Sequence, residues 1–130
     1  MAISKDLPIL IVDDYKTMLR IVRGLLVQLG FTNIEEASDG SSAMAMIGQR
    51  PHAYGLIISD WNMQPVTGLE LLKQVRANPQ TASLPFIMVT AEARTENVVA
   101  ARQAGVNNYI IKPFTQAVLK QKISAVLGEF

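Results

Sequence analysis

The chain contains no cysteine, and histidine and tryptophan occur once each. Without thiols there can be no disulfide, no cysteine-ligated zinc and no thiol nucleophile. The one histidine, His52, stands beside Pro51 in what reads as a solvated loop. No sign of charge dominates either: twelve Lys+Arg against eleven Asp+Glu leave a formal net charge of +1. A general nucleic-acid binder needs a strongly basic face, so no nucleic-acid partner is expected. Long apolar runs are also missing. The longest early one, Leu7 to Val12, is interrupted by Pro8 and closed by Asp13-Asp14. That is too short for a secretory core or a bilayer span, so neither membrane insertion nor export is expected, and a cytoplasmic location is. Repeats, low-complexity tracts and linker-like stretches are absent as well.

What is present suits a packed domain. Hydrophobic residues make up 49% of the chain and charged residues 18%, which excludes intrinsic disorder. A length of 130 residues corresponds to one domain, with no attached output domain expected.

Two hydrophobic periods alternate along the chain. Ile9-Leu10-Ile11-Val12 is a continuous apolar run of the kind buried on both faces of a sheet. Met18, Leu19, Ile21, Val22, Leu25, Leu26 and Leu29 then recur at helical spacing, and Gly30 marks a stop. Asn33 to Ala37 is a shorter, more polar strand; Asp39-Gly40 predicts a turn, and Ser41 to Gly48 a helix of small residues. The same alternation gives strands over Gly55 to Ser59, Phe86 to Val89 and Asn108 to Ile111. Helices are predicted from near Gly68 to before Pro79, from Thr95 to Ala104 with Gly105 following, and after an N-cap at Thr115. Strict βα alternation demands a parallel sheet with right-handed crossovers and helices on both faces. The expected fold is therefore α/β, a doubly wound (βα)5 sandwich. Its strand order, 2-1-3-4-5, is taken from flavodoxin-like folds and not dictated by the spacing itself.

In such sheets ligands bind beyond the carboxyl ends of the strands. The first strand ends in Asp13 and Asp14, the third in Asp60, the fourth in Thr90 and the fifth in Lys112, whereas the second contributes no charge. In the order 2-1-3-4-5 the four contributing strands are neighbours, so these side chains converge. Three carboxylates and one ammonium sum to about −2 if all ionise, and like charges this close raise one another's pKa. A divalent oxygen-seeking cation is the natural compensation, and Mg²⁺ is the expected cofactor because it brings phosphoryl oxygens with it. A carboxylate beside Mg²⁺ can attack phosphorus. Asp60 is the expected nucleophile, with Asp13 or Asp14 on the metal, Lys112 on a second phosphoryl oxygen and the Thr90 hydroxyl on a third.

Taken alone, each residue has a plainer explanation. Asp13-Asp14 would serve as a helix cap, Asp60 as a turn residue, Lys112-Pro113 as a surface turn or a cis bond, and Tyr109 as sheet packing. Trp61 reads as a half-buried or exposed loop aromatic, and Lys16, Arg20 and Arg23 as the solvated face of the first helix or a kinase contact. The five positions together are the specific signal.

Those positions and the words around them resemble the receiver domains of two-component response regulators, specifically the stand-alone chemotaxis type. The likeness runs through Val12-Asp13-Asp14-Tyr15, Glu35-Glu36-Ala37, Ser59-Asp60-Trp61-Asn62-Met63, Gly68-Leu69-Glu70-Leu71-Leu72, Val89-Thr90-Ala91-Glu92-Ala93 and Lys112-Pro113-Phe114-Thr115. It implies that Asp60 is the phosphoacceptor and that Asp13, Asp14, Asp60 and the Asn62 backbone carbonyl hold Mg²⁺. Asn62 and Glu92 would tune the rate of hydrolysis, and Thr90 with Tyr109 would form the switch. The implied partners are a chemotaxis histidine kinase, the flagellar motor switch protein and a phosphatase, with the chain itself a monomer and not an enzyme beyond its own phosphorylation and dephosphorylation. Within the family, a phosphate sink that drains the kinase without touching the motor is the alternative. Outside it, a haloacid-dehalogenase-like phosphohydrolase would want an acid where Asn62 stands, and a flavin-phosphate binder would be repelled by Asp13-Asp14.

One loop departs from the family pattern. Gln64 and Thr67 replace the usual Pro and Asp, and Pro65 is shifted by one place, although the distance to Gly68 is kept. Thr67 is still expected to cap the third helix. The departure bears on loop mobility, metal affinity, dephosphorylation rate and recognition by a phosphatase.

Overall fold

The computed structural model describes residues 3–91 and 94–130. Ten elements alternate along it: β1 (Ile9–Val12), α1 (Lys16–Gln28), β2 (Ile34–Ala37), α2 (Gly40–Gln49), β3 (Leu56–Asp60), α3 (Gly68–Ala77), β4 (Phe86–Thr90), α4 (Thr95–Gln103), β5 (Asn108–Ile111) and α5 (Gln116–Leu127). All strand pairs are parallel, and the order is β2-β1-β3-β4-β5, as expected for the flavodoxin-like arrangement. Among the described residues no helix is long and apolar enough to cross a membrane.

Strand pleating divides the core in two. Ile9 and Ile11, Leu56 and Ile58, Ile87 and Val89, and Ile110 turn to one face, where Leu19, Val22 and Leu26 of α1 and Leu119 and Ile123 of α5 cover them. Leu10 and Val12, Ile57, Phe86 and Met88 turn to the other, against Ala43 and Ile47 of α2 and Leu71, Leu72 and Val75 of α3. Burial on both faces explains why these strands are nearly unbroken runs of Ile, Leu, Val and Phe.

Helix starts follow local chemistry. The turn expected at Asp39-Gly40 is the start of α2: the Asp39 carboxylate accepts from the Ser42 N–H at 2.7 Å, so the helix begins at Gly40 and not at Ser41. Thr67 caps α3 as expected, accepting from the Glu70 N–H at 3.1 Å, while Glu70 reaches back to complete a capping box. Thr115 likewise caps α5 through the Val118 N–H. The stops expected at Gly30 and Gly105 adopt positive φ, 101° and 93°.

Gly68 positions the site most directly. A Cβ there would lie 2.2 Å from the Asp60 carbonyl oxygen and 2.8 Å from the Met88 sulfur. Only a residue without a side chain lets α3 begin this close to the end of β3.

Candidate functional site

The two-residue period of the strands aims the site residues. Asp13 continues the parity of Ile9 and Ile11, Asp60 that of Leu56 and Ile58, and Lys112 that of Ile110. All three therefore leave the chain toward the α1/α5 side of the sheet at its carboxyl end. Neighbouring strands in register then bring them together: β1 pairs with β3, β3 with β4 and β4 with β5.

The resulting geometry is tight. Asp13, Asp14 and Asp60 each present a carboxylate oxygen, and these oxygens lie within 4.8 Å of one another. The Lys112 ammonium donates to Asp60 Oδ1 at 2.9 Å and to Asp13 Oδ2 at 3.5 Å. Asp13 also accepts from the Tyr15 N–H at 3.0 Å, a local turn ahead of α1; the N-cap of that helix is Tyr15, with no side chain bonded to its first turn, so Asp13-Asp14 do not serve as its cap. Asp13 and Asp60 are 5% and 6% exposed, whereas Asp14 is open to solvent.

Burial sets the electrostatics. Desolvation pushes the Asp60 carboxyl above its ordinary range; the Lys112 hydrogen bond pulls it back, and the neighbouring Asp13 and Asp14 charges push it up again. Asp13 is raised by the same desolvation, partly offset by the Tyr15 N–H and by Lys112. Among the described residues, one ammonium thus faces three carboxylates, two of them buried, and the group carries an uncompensated negative charge. Carboxylate oxygens this close and this poorly neutralised fit a small, hard, oxygen-seeking dication. No histidine or cysteine takes part, which disfavours zinc.

The other expected residues take distinct places. Asn62 lies exposed beyond β3 and lines an open cleft with Asp14, Met63, Gln64, Pro65 and Thr67. The altered loop therefore forms the wall of the crevice on the Asp14 side, and both Gln64–Pro65 and Lys112–Pro113 are cis peptides. Thr90 is fully buried at the end of β4, where its carbonyl accepts from the Lys112 N–H at 2.7 Å. Tyr109 sits outside the crevice, half-buried on the α2/α3 side of the sheet. Glu92 lies outside the described residues. Lys16 and Arg20 are solvated as expected, but Arg23 is not merely so: it pairs with Glu36 and donates to the Ile34 carbonyl at 3.0 Å, tying α1 to the edge strand. The contact that the sequence did not disclose is between rings. Trp61 meets Tyr109 edge-on, with centroids 6.3 Å apart and planes at 69°.

Comparison with known proteins agrees with this geometry. A family model described as the response regulator receiver domain matches residues 9–124. The chemotaxis protein CheY of Pseudomonas aeruginosa is 49% identical over 118 residues, which cover 91% of this chain and 94% of that protein. The crystallised chemotaxis protein CheY4 of Vibrio cholerae superposes with a TM-score of 0.85 at 31% identity, covering 94% of this chain and 99% of the other. The receiver domain of a Pseudomonas aeruginosa sensor histidine kinase, solved with a magnesium ion coordinated in its active-site cleft, superposes with a TM-score of 0.84 at 26% identity, covering 95% and 99%. With its sheet order, its acidic crevice and these matches, the chain belongs to the response regulator receiver domain family, in its CheY-type chemotaxis branch.

Proposed function

We propose that the chain is a stand-alone cytoplasmic phosphorylation switch, residues 1–130 acting as a single receiver domain that takes a phosphoryl group onto Asp60 from a chemotaxis histidine kinase. The observation that carries this is the shared crevice: Asp13, Asp14 and Asp60 oxygens within 4.8 Å of one another, and Lys112 2.9 Å from Asp60. In the transfer, an Asp60 carboxylate oxygen forms a bond to phosphorus as the phosphorus–nitrogen bond of the donor's phosphohistidine breaks, and the imidazole leaves with the partner. Asp13, Asp14 and the Asn62 backbone carbonyl would join Asp60 in holding Mg²⁺, which when bound would offset the charge gathering on the phosphoryl oxygens. Lys112 would follow one of those oxygens as a mobile point charge. Thr90 would respond to the new group by its hydroxyl, and Tyr109 would follow by changing orientation. Asn62 and Glu92 would set how fast water regains the phosphoryl group. Through the altered surface the chain would bind the flagellar motor switch protein.

The test is timed phosphotransfer from purified histidine kinases with Mg²⁺, with the modified residue located by mass spectrometry. Label on Asp60, lost in Asp60→Asn, is the expected result; label elsewhere, or none from any chemotaxis kinase, would refute the proposal. Capture of the motor switch protein by the phosphorylated form alone then tests the output.

A further inference from the structure

The pleat that sends Asp60 into the crevice sends its neighbour the other way. Trp61 follows Asp60 directly, so its side chain departs on the face that carries Met88 and Tyr109, not the face of Asp13 and Lys112. There its indole meets a ring on β5, two strands away in the sheet. The edge-on geometry, 6.3 Å and 69°, is one that aromatic pairs favour. The backbone of Trp61 is held at three points: its N–H donates to the Val89 carbonyl at 2.9 Å, and its own carbonyl accepts from the Met63 and Gly68 N–H groups at 3.2 and 2.9 Å. With the backbone fixed, the side chain is what remains free to respond. Tyr109, in register with Met88, is half-buried beside it.

We propose that Trp61 is a positioning residue for Tyr109: it reports the charge carried by Asp60, one peptide unit away, to the tyrosine ring on β5. The inference rests on the reading of Asp60 as phosphoacceptor and deepens it by naming a second physical link between acceptor and switch. A phosphoryl group adds charge and bulk to a side chain whose neighbour leans on Tyr109, and a small turn of the indole changes which tyrosine rotamer is favoured. A contact of this kind biases the rotamer populations by roughly two- to ten-fold.

Fluorotyrosine incorporation gives a direct readout by fluorine NMR. The chain has three tyrosines, and the Tyr109 signal is assigned by its loss in Tyr109→Phe. Magnesium with beryllofluoride serves as the phosphoryl mimic, and its binding is measured separately by calorimetry. In the wild type the mimic should shift the Tyr109 signal. In Trp61→Ala and in Trp61→Leu, which keeps bulk without a ring, that signal should start displaced, and its response to the mimic should fall by at least half. Trp61→Phe should retain most of the response, and affinity for the mimic should stay within about ten-fold in all three variants, the limit that reciprocity sets on a contact of this strength. If the loaded leucine variant gives the wild-type Tyr109 signal before and after addition, the inference falls and the reading of Asp60 stands. If calorimetry finds no binding of magnesium and beryllofluoride to the wild type, both fall together.

Discussion

At the scale of single residues, the crevice is a place where folding works against charge. Asp13 and Asp60 are both raised above the ordinary carboxylate range, chiefly by burial. A carboxyl whose folded pKa exceeds its unfolded value makes folding less favourable once it is ionised. Stability of the metal-free protein should therefore rise as pH falls from the raised folded values toward about 4, the ordinary carboxylate value, because the folded state takes up protons first. Asp60→Asn should remove part of that cost at neutral pH and stabilise the metal-free protein by about 1 kcal/mol, roughly 4 °C in Tm, while abolishing phosphorylation. Thermal unfolding of wild type and variant at neutral pH and near pH 5 checks both the sign and the pH window; a variant less stable than wild type at neutral pH would contradict it. Lys112→Ala should act oppositely. It strips from two buried carboxylates the one cation that pairs with them among the described residues, so metal-free stability at neutral pH should fall by about 1–3 kcal/mol. Such a protein should still accept phosphoryl groups yet fail to signal, and a motor-switch pull-down with the phosphorylated variant would decide that second part.

At the scale of elements, much was legible because β1, β3 and β4 are buried on both sides, and only continuous apolar runs satisfy that. Ile9-Leu10-Ile11-Val12 and Phe86-Ile87-Met88-Val89 could hardly be anything else once helical patterns separate them. The start of α2 was less legible, because Asp39-Gly40 has the chemistry of a turn and of an N-cap alike, and only the hydrogen bond to Ser42 decides between them. The site residues were legible for a related reason: a charged side chain directly after a buried strand has no apolar neighbour to meet and must face the ligand end of the sheet. The Trp61–Tyr109 contact left no such trace, since it depends on how far an indole reaches across an intervening strand. Two substitutions probe the elements beneath the site. Thr67→Ala removes the side-chain half of the capping box and should cost about 1 kcal/mol in a denaturant titration. Gly68→Ala forces a methyl group against the Asp60 carbonyl and should cost about 3 kcal/mol, with slower phosphorylation if Asp60 is the acceptor as proposed, because its own backbone must shift. Wild-type stability and phosphorylation in Gly68→Ala would show that α3 can simply move away.

For the whole molecule, cation binding and folding are linked. A ligand that the folded chain binds and the unfolded chain does not raises the midpoint of unfolding. Millimolar Mg²⁺ should therefore raise Tm at neutral pH, and the increment should shrink as the solution is acidified and the carboxylates protonate. It should also vanish in Asp13→Asn/Asp60→Asn. The fluorescence of the single tryptophan, next in sequence to Asp60, should change over the same titration. A melting curve and an emission spectrum both indifferent to the metal would remove the foundation of the functional reading.

The alternation at the end of β3 makes the proposed acceptor a question of odd and even. Gln64 and Thr67 line the wall beyond Asp60 and leave the parity of β3 untouched. A single residue inserted between Ile58 and Asp60 is another matter: it would swing the carboxylate to the wrong side of the sheet and hand the indole to the ammonium of Lys112. The end of β3 therefore constrains number as well as kind: it cannot be lengthened or shortened by one.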